Sequence, residues 1–236
     1  MNFTNLAGKI ALGTAYSKDY TNWAMEMLEK GSDSENIAIL AGLGFEKNPE
    51  PEEIREYFYK SLNDLGLELP TEENSILSYA KYICSEIVAG NISPKNGLST
   101  LEGLYSKSDY EPIYSIWDEL SEDIWMVNDR EACIFNTGLT RENIGQYVVQ
   151  VAEQFIRLTE IELPERFFWL TVCRKCGYIG GHKLIRIDKP WLPEKLYRFI
   201  FKRVPTMKPV CSKCGEEFPL GMGDYVGREE YLKSLR

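Results

Sequence analysis

The chain has 236 residues, 44% of them hydrophobic, and a formal net charge of −9 at pH 7. That is enough apolar material for one large or two small cores. No apolar run approaches the roughly 20 residues of a membrane-spanning helix, so no membrane partner is expected. The charge is uneven: residues 1–162 hold 12 Lys+Arg against 28 Asp+Glu, whereas residues 163–236 hold 15 against 8. This divides the chain into an acidic domain, 1–162, and a basic module, 163–236.

Residues 1–16 contain two glycines and no clear period, and read as an irregular lead-in. They also lack the charged start and apolar run of a secretory signal, so a reducing, cytoplasmic setting is expected. Helices follow. Ser17 is a candidate cap for a stripe of Tyr20, Trp23, Ala24, Met27 and Leu28, stopped by Gly31. Asp33 or Ser34 opens a short apolar helix through Ile37, Leu40 and Ala41 to Gly44, and Asn48-Pro49-Glu50-Pro51 presets the next start, with Ile54, Tyr57, Phe58, Leu62 and Leu65 as one stripe. Thr71 with Glu72 and Glu73, then Ser93 with Pro94, supply two further starts with cap residues in their favoured places. Glu111-Pro112 predicts a shorter helix to Leu120, and Ala132–Phe135 is a candidate strand. Thr140 is the candidate cap of a helix whose stripe is Ile144, Tyr147, Val148, Val151, Phe155 and Leu158. The expected architecture is mainly α: an all-α N-terminal domain, either a bundle or solenoid-like helical pairs, before a small α+β module.

Past residue 166 the pattern changes. Phe167–Val172 and the alternation around Ile185 and Ile187 predict strands, and 194–203 predicts one helix. Cys173-Arg174-Lys175-Cys176-Gly177 lies between the two strands, and Cys211-Ser212-Lys213-Cys214-Gly215 follows the helix. Two residues between the cysteines let both sulfurs of a pair reach one ion, and the glycine tolerates the turn that aims backbone amides at them. Four thiolates close a coordination shell, so Cys173, Cys176, Cys211 and Cys214 predict one structural zinc ion. Arg174, Lys175 and Lys213 would offset its negative charge. His182, the only histidine, is an alternative ligand for one position.

Over 167–218 these paired knuckles resemble the zinc-ribbon family, and more distantly rubredoxin, whose knuckles also read CxxCG. The zinc-ribbon resemblance implies a structural metal and leaves function open, and rubredoxin would imply iron. The gap between the knuckles is long for a minimal ribbon, which implies an insertion or a looser treble-clef-like arrangement.

Enzyme chemistry finds little support: there is one histidine, no phosphate-cradling glycine loop and no HExxH. The expected function is a non-catalytic, zinc-stapled interaction protein, an adaptor or an inhibitor of the immunity type, whose acidic helical domain holds a protein partner. Tyr110, Tyr114, Asp118, Glu119, Glu122 and Asp123 are candidates for that surface. One alternative is nucleic-acid binding through Lys195, Arg198, Lys202 and Arg203. A second is a hydrolase with a carboxylate site. Cys84, on an apolar stripe, reads as a buried thiol.

Overall fold

The computed structural model describes residues 2–130, 132–189 and 191–235. Among these residues the chain is mainly helical, with five short strands confined to the region around the cysteine pairs. The chain separates into two compact units, Met1–Tyr114 and Ser115–Arg236.

The first unit contains α1 (Phe3–Ala11), α2 (Ser17–Glu29), α3 (Glu35–Leu43), α4 (Pro51–Asp64), α5 (Glu72–Val88), α6 (Pro94–Leu101) and the single turn α7 (Leu104–Lys107). Helix α1 replaces the expected lead-in. Asn2 caps it by accepting from the Asn5 amide at 2.8 Å. It lies so close to α5 that a Cβ on Gly8 would fall 2.3 Å from Cβ of Tyr79. Helix α2 starts one residue ahead of expectation: Ser17 is its first residue and Tyr16 its N-cap, whose amide donates to Asp19 at 2.9 Å, and Asp19 also binds Lys9 at 2.7 Å. The core joins Leu6, Trp23, Ile37, Leu40, Ile54 and Phe58, all essentially solvent-free. Phe58 sits edge-on to Tyr20 and Trp23 at centroid distances of 5.0 and 5.2 Å. Such aromatic pairs add about 1 kcal/mol each beyond the burial of their area. Thr71 and Ser93 cap α5 and α6 as their sequence positions predict, and of the two candidates for α3, Asp33 and Ser34, it is Ser34 that caps.

The second unit contains α8 (Ser115–Arg130), α9 (Ile144–Leu158), α10 (Glu194–Phe201) and α11 (Tyr225–Ser234) with strands β1 (Thr171–Val172), β2 (Ile179–Gly180), β3 (His182–Arg186), β4 (Met207–Cys211) and β5 (Leu220–Gly221). Glu111-Pro112 opens only a 3-10 turn, Pro112–Tyr114, and α8 then runs ten residues beyond the expected end at Leu120. The candidate strand at Ala132–Phe135 is a loop, because the Ile134 and Phe135 amides bond the Asp123 carboxylate instead of a neighbouring strand. Thr140 does not cap α9: its amide donates to Asn143, and the helix begins one residue later.

The boundary at Tyr114 differs from the expected boundary at residue 162. Helix α9 belongs with the cysteine-bearing region because its Gln154 and Arg157 bond α11, and Glu119 of α8 feels the charge of Arg228 on that same helix. Arg228 of α11, fully buried, donates from Nε to Oε1 of Gln154 on α9 at 2.6 Å and from its guanidinium to the Gly223 carbonyl at 2.8 Å. Gln154 in turn donates to the Tyr225 carbonyl and to Glu229. A buried arginine is tolerated only when its donors are met in this way. The formal charge follows the same division: the whole −9 falls in the first unit, and the second balances 18 Lys+Arg against 18 Asp+Glu.

Candidate metal centre

Each cysteine pair sits at the end of a strand. β1 runs directly into Cys173, and β4 ends at Cys211. β1 is the middle strand of an antiparallel β2-β1-β5 sheet, while β3 and β4 pair antiparallel over five residue pairs. The two turns then close through matching backbone bonds. Gly177 N donates to Cys173 O at 2.8 Å and Gly215 N to Cys211 O at 3.0 Å. Cys173 N donates to Tyr178 O at 3.0 Å and Cys211 N to Glu216 O at 2.7 Å. Both glycines are left-handed, at φ +65° and +75°, a conformation that a side chain would strain. The same pentapeptide pattern thus folds into the same turn twice.

The four sulfurs meet. One ligand atom from each cysteine lies within 4.8 Å of all the others, and the contacts Cys173–Cys214 and Cys176–Cys211 are both 3.7 Å. A tetrahedron with metal–sulfur bonds of about 2.3 Å has sulfur–sulfur edges of about 3.8 Å. A disulfide would instead require about 2.05 Å. Each close contact joins one cysteine from either turn, so the donor set is a single four-sulfur cage. Cys173 and Cys211 are buried, Cys176 is half-buried and Cys214 is exposed.

Electrostatics act in opposite directions on two of the sulfurs. Amides of Cys214 and Lys213 pull the Cys211 thiol down to about 6, the second reaching its sulfur at 3.4 Å. For Cys214 the Glu216 amide also lowers the pKa, but burial and the three neighbouring sulfurs outweigh it and push the thiol up to about 12. Four clustered sulfurs resist losing all their protons unless a cation takes the protons' place. The basic residues do more than face the sulfurs. Lys175 binds Glu216 at 2.7 Å, linking the first turn to the second, and Arg174 reaches Glu230 of α11 at 3.5 Å.

The other candidate residues separate. His182 lies exposed on β3, paired across the ribbon with Cys211, and is outside the sulfur cluster. Of the proposed partner surface, Tyr114 and Asp123 are buried at 3% and 0% exposure and leave it. Glu119 also turns inward: burial raises its carboxyl, and the charge of Arg228 is the largest influence opposing that rise. Tyr110 stays exposed in the first unit, while Glu122 is exposed and Asp118 half-exposed on α8 in the second. Lys195, Arg198, Lys202 and Arg203 are all exposed, although Arg198 pairs with Glu194 at 2.6 Å and Arg203 donates to the Tyr197 hydroxyl at 3.0 Å. Sequence reasoning overlooked Glu216, Glu230 and the Arg228–Gln154 pair. The first follows the second cysteine turn directly and was open to reading as a counter-charge. The others lie in segments whose charges look solvated until the chain is folded.

No known family model, curated protein or solved structure matches this chain.

Proposed function

We propose that Cys173, Cys176, Cys211 and Cys214 hold one structural zinc ion in a zinc-ribbon-like module, within a non-catalytic protein that binds another protein. The sulfur spacing carries the metal reading: edges of 3.7 Å match a closed tetrahedron of zinc–thiolate bonds. Zinc held by four thiolates supplies a cross-link and no open coordination position for substrate. Strands β1, β2 and β5 then hang from one turn, and β3 and β4 lead into the other. The long stretch between β3 and β4, carrying α10, accounts for the spacing that exceeds a minimal ribbon.

The partner reading rests on charge. The first unit holds 18 Asp+Glu against 9 Lys+Arg, a field that draws a basic protein and repels an acidic one. An adaptor or inhibitor of this kind works by occupying its partner. Nucleic-acid binding through Lys195, Arg198 and Lys202 is a second reading, supported by the exposure of all three.

Elemental analysis of protein purified without chelator tests the centre, with one equivalent of zinc expected and less than about a tenth of that in Cys176→Ser. Iron in its place, or an unaltered metal content in the variant, would refute the assignment. The partner is tested separately, by whether a stoichiometric protein complex weakens as salt rises from about 0.05 M to about 0.5 M. Co-purifying nucleic acid would instead favour the second reading.

A further inference from the structure

The stretch between β3 and β4 is apolar without being buried. Among the described residues, nine of twenty exposed large hydrophobic side chains fall between Leu184 and Met207. On α10, Leu196 and Ile200 are four residues apart and Phe199 three from Leu196, so they share one side of the helix. Their exposures are 45%, 53% and 80%, and Trp191, just ahead of the helix, is 76% exposed. Tyr197 and Phe201 occupy a separate side, where Arg186 stacks on the first ring at 4.5 Å and Lys189 on the second at 4.2 Å. The helix therefore has its packed side and, beside it, a second apolar side facing solvent.

The same stretch is strongly basic. Residues 182–208 hold eight Lys+Arg against two Asp+Glu. Lys183, Lys195 and Lys202 have no ion-pair partner among the described residues. Apolar side chains and unpaired lysines alternate closely, as at Lys195-Leu196.

We propose that α10 with Trp191 is an interfacial anchor for an anionic lipid surface. The apolar side would sink to the level of the headgroups, and the lysines would extend their charged ends to lipid phosphates while their stems stay with the acyl chains. Three features select lipid. Leu196 and Ile200, half of the exposed apolar side, have no ring on which a base could stack, which leaves only Phe199 and Trp191 to serve a single-stranded nucleic acid in that way. Lysine is depleted from the centres of protein interfaces, yet here it borders the apolar residues directly. Tryptophan at the edge of an apolar helix face suits the headgroup boundary. Such contact is peripheral, and no helix of the described residues is long and apolar enough to cross a membrane. The proposal goes beyond the partner reading and does not depend on it.

Flotation of the full-length, metal-loaded chain with vesicles tests it, using phosphatidylcholine alone and phosphatidylcholine with about one-third phosphatidylglycerol. Recovery is expected with the anionic vesicles and not the neutral ones, falling at least about tenfold in Phe199→Asp/Ile200→Asp and in high salt. Brominated lipid should quench tryptophan emission in the parent and much less in Trp191→Phe. Because these side chains are exposed, both variants should keep their metal content and melting curve, which separates lost binding from lost folding. Absence of recovery with anionic vesicles, undiminished binding by a folded double variant, or a single-stranded oligonucleotide binding where vesicles do not, would each overturn it.

Discussion

Asp123 organises a loop from inside the molecule. Its two carboxylate oxygens accept the Ile134 amide at 2.6 Å, the Phe135 amide at 2.8 Å and the Asn136 side-chain amide at 2.9 Å. These bonds satisfy backbone donors that a short irregular segment cannot satisfy for itself. In Asp123→Ala the amides lose their acceptor at a site without solvent, and we expect a loss of about 3 kcal/mol, typical of charge-assisted bonds left unmade. Urea denaturation of the second unit measures it, and a change below about 0.5 kcal/mol would mean that the loop finds other acceptors. The role was legible in part. Ile116, Leu120, Asp123 and Val127 recur at helical spacing, and all four are buried. A carboxylate within that stripe signals an internal acceptor more than a surface charge. Reading Asp118, Glu119, Glu122 and Asp123 as one acidic face overlooked it, because clustered charge in a linear sequence does not say which members point inward.

Among the elements, capping chemistry was legible at Ser34, Thr71 and Ser93 but not at Ser17 or Thr140, and terminal packing was the least legible. Ser34, Thr71 and Ser93 stand where short-range physics puts them, since a cap bonds amides only two or three residues away. Helix α1 escaped notice because it owes its place to α5: its buried residues are Leu6, Ala7 and Gly8, two of them too small to register as an apolar stripe. The cysteine centre lies between these cases. Four ligands and two matching turns could be read from spacing, whereas the joining of one cysteine from each turn in each close contact depends on how β1 and β4 pair with their neighbours. Cap geometry also carries a pH dependence. Asp64, at the end of α4, accepts from the Ser34 hydroxyl and from Asn36 at the start of α3, and these bonds hold its carboxyl below the usual aspartate range. A depressed value means that the stabilisation is present above the unfolded-state pKa, near 3.8, and is lost as pH falls through the lower folded value. Asp64→Asn should therefore lower the melting temperature of the first unit at pH 7. The difference from the parent should shrink as pH falls below the unfolded-state value and through the lower folded one. An equal deficit at pH 7 and in that acid range would assign the effect to packing.

At the scale of the molecule, the unit boundary at Tyr114 changes what loss of the metal should do. A module comprising only residues 163–236 would unfold alone and spare every helix before it. Here α11 packs against β1 and β5, and Arg228 and Glu229 on α11 bond Gln154 of α9. Gly227 enters so close to β5 that a Cβ there would meet the Gly221 carbonyl at 1.9 Å. The strands that carry the cysteines are thus the platform on which α11 rests, and α11 in turn supplies the partner of a buried glutamine. Two-residue strands do not persist without a larger sheet or a cross-link. Breaking the four-sulfur set by Cys176→Ser should therefore loosen α11 and α9 along with the cysteine turns. The first unit, with its own core from Leu6 to Leu62 and about three-fifths of the helical residues, should keep its cooperative transition. The far-UV signal should fall by up to two-fifths, and hydrogen exchange should accelerate in α9 and α11 while α2–α4 stay protected. Retained protection of α9 after metal loss would show that the Arg228–Gln154 contact stands without the cysteine centre. Lost protection in both units would show that their folding is coupled.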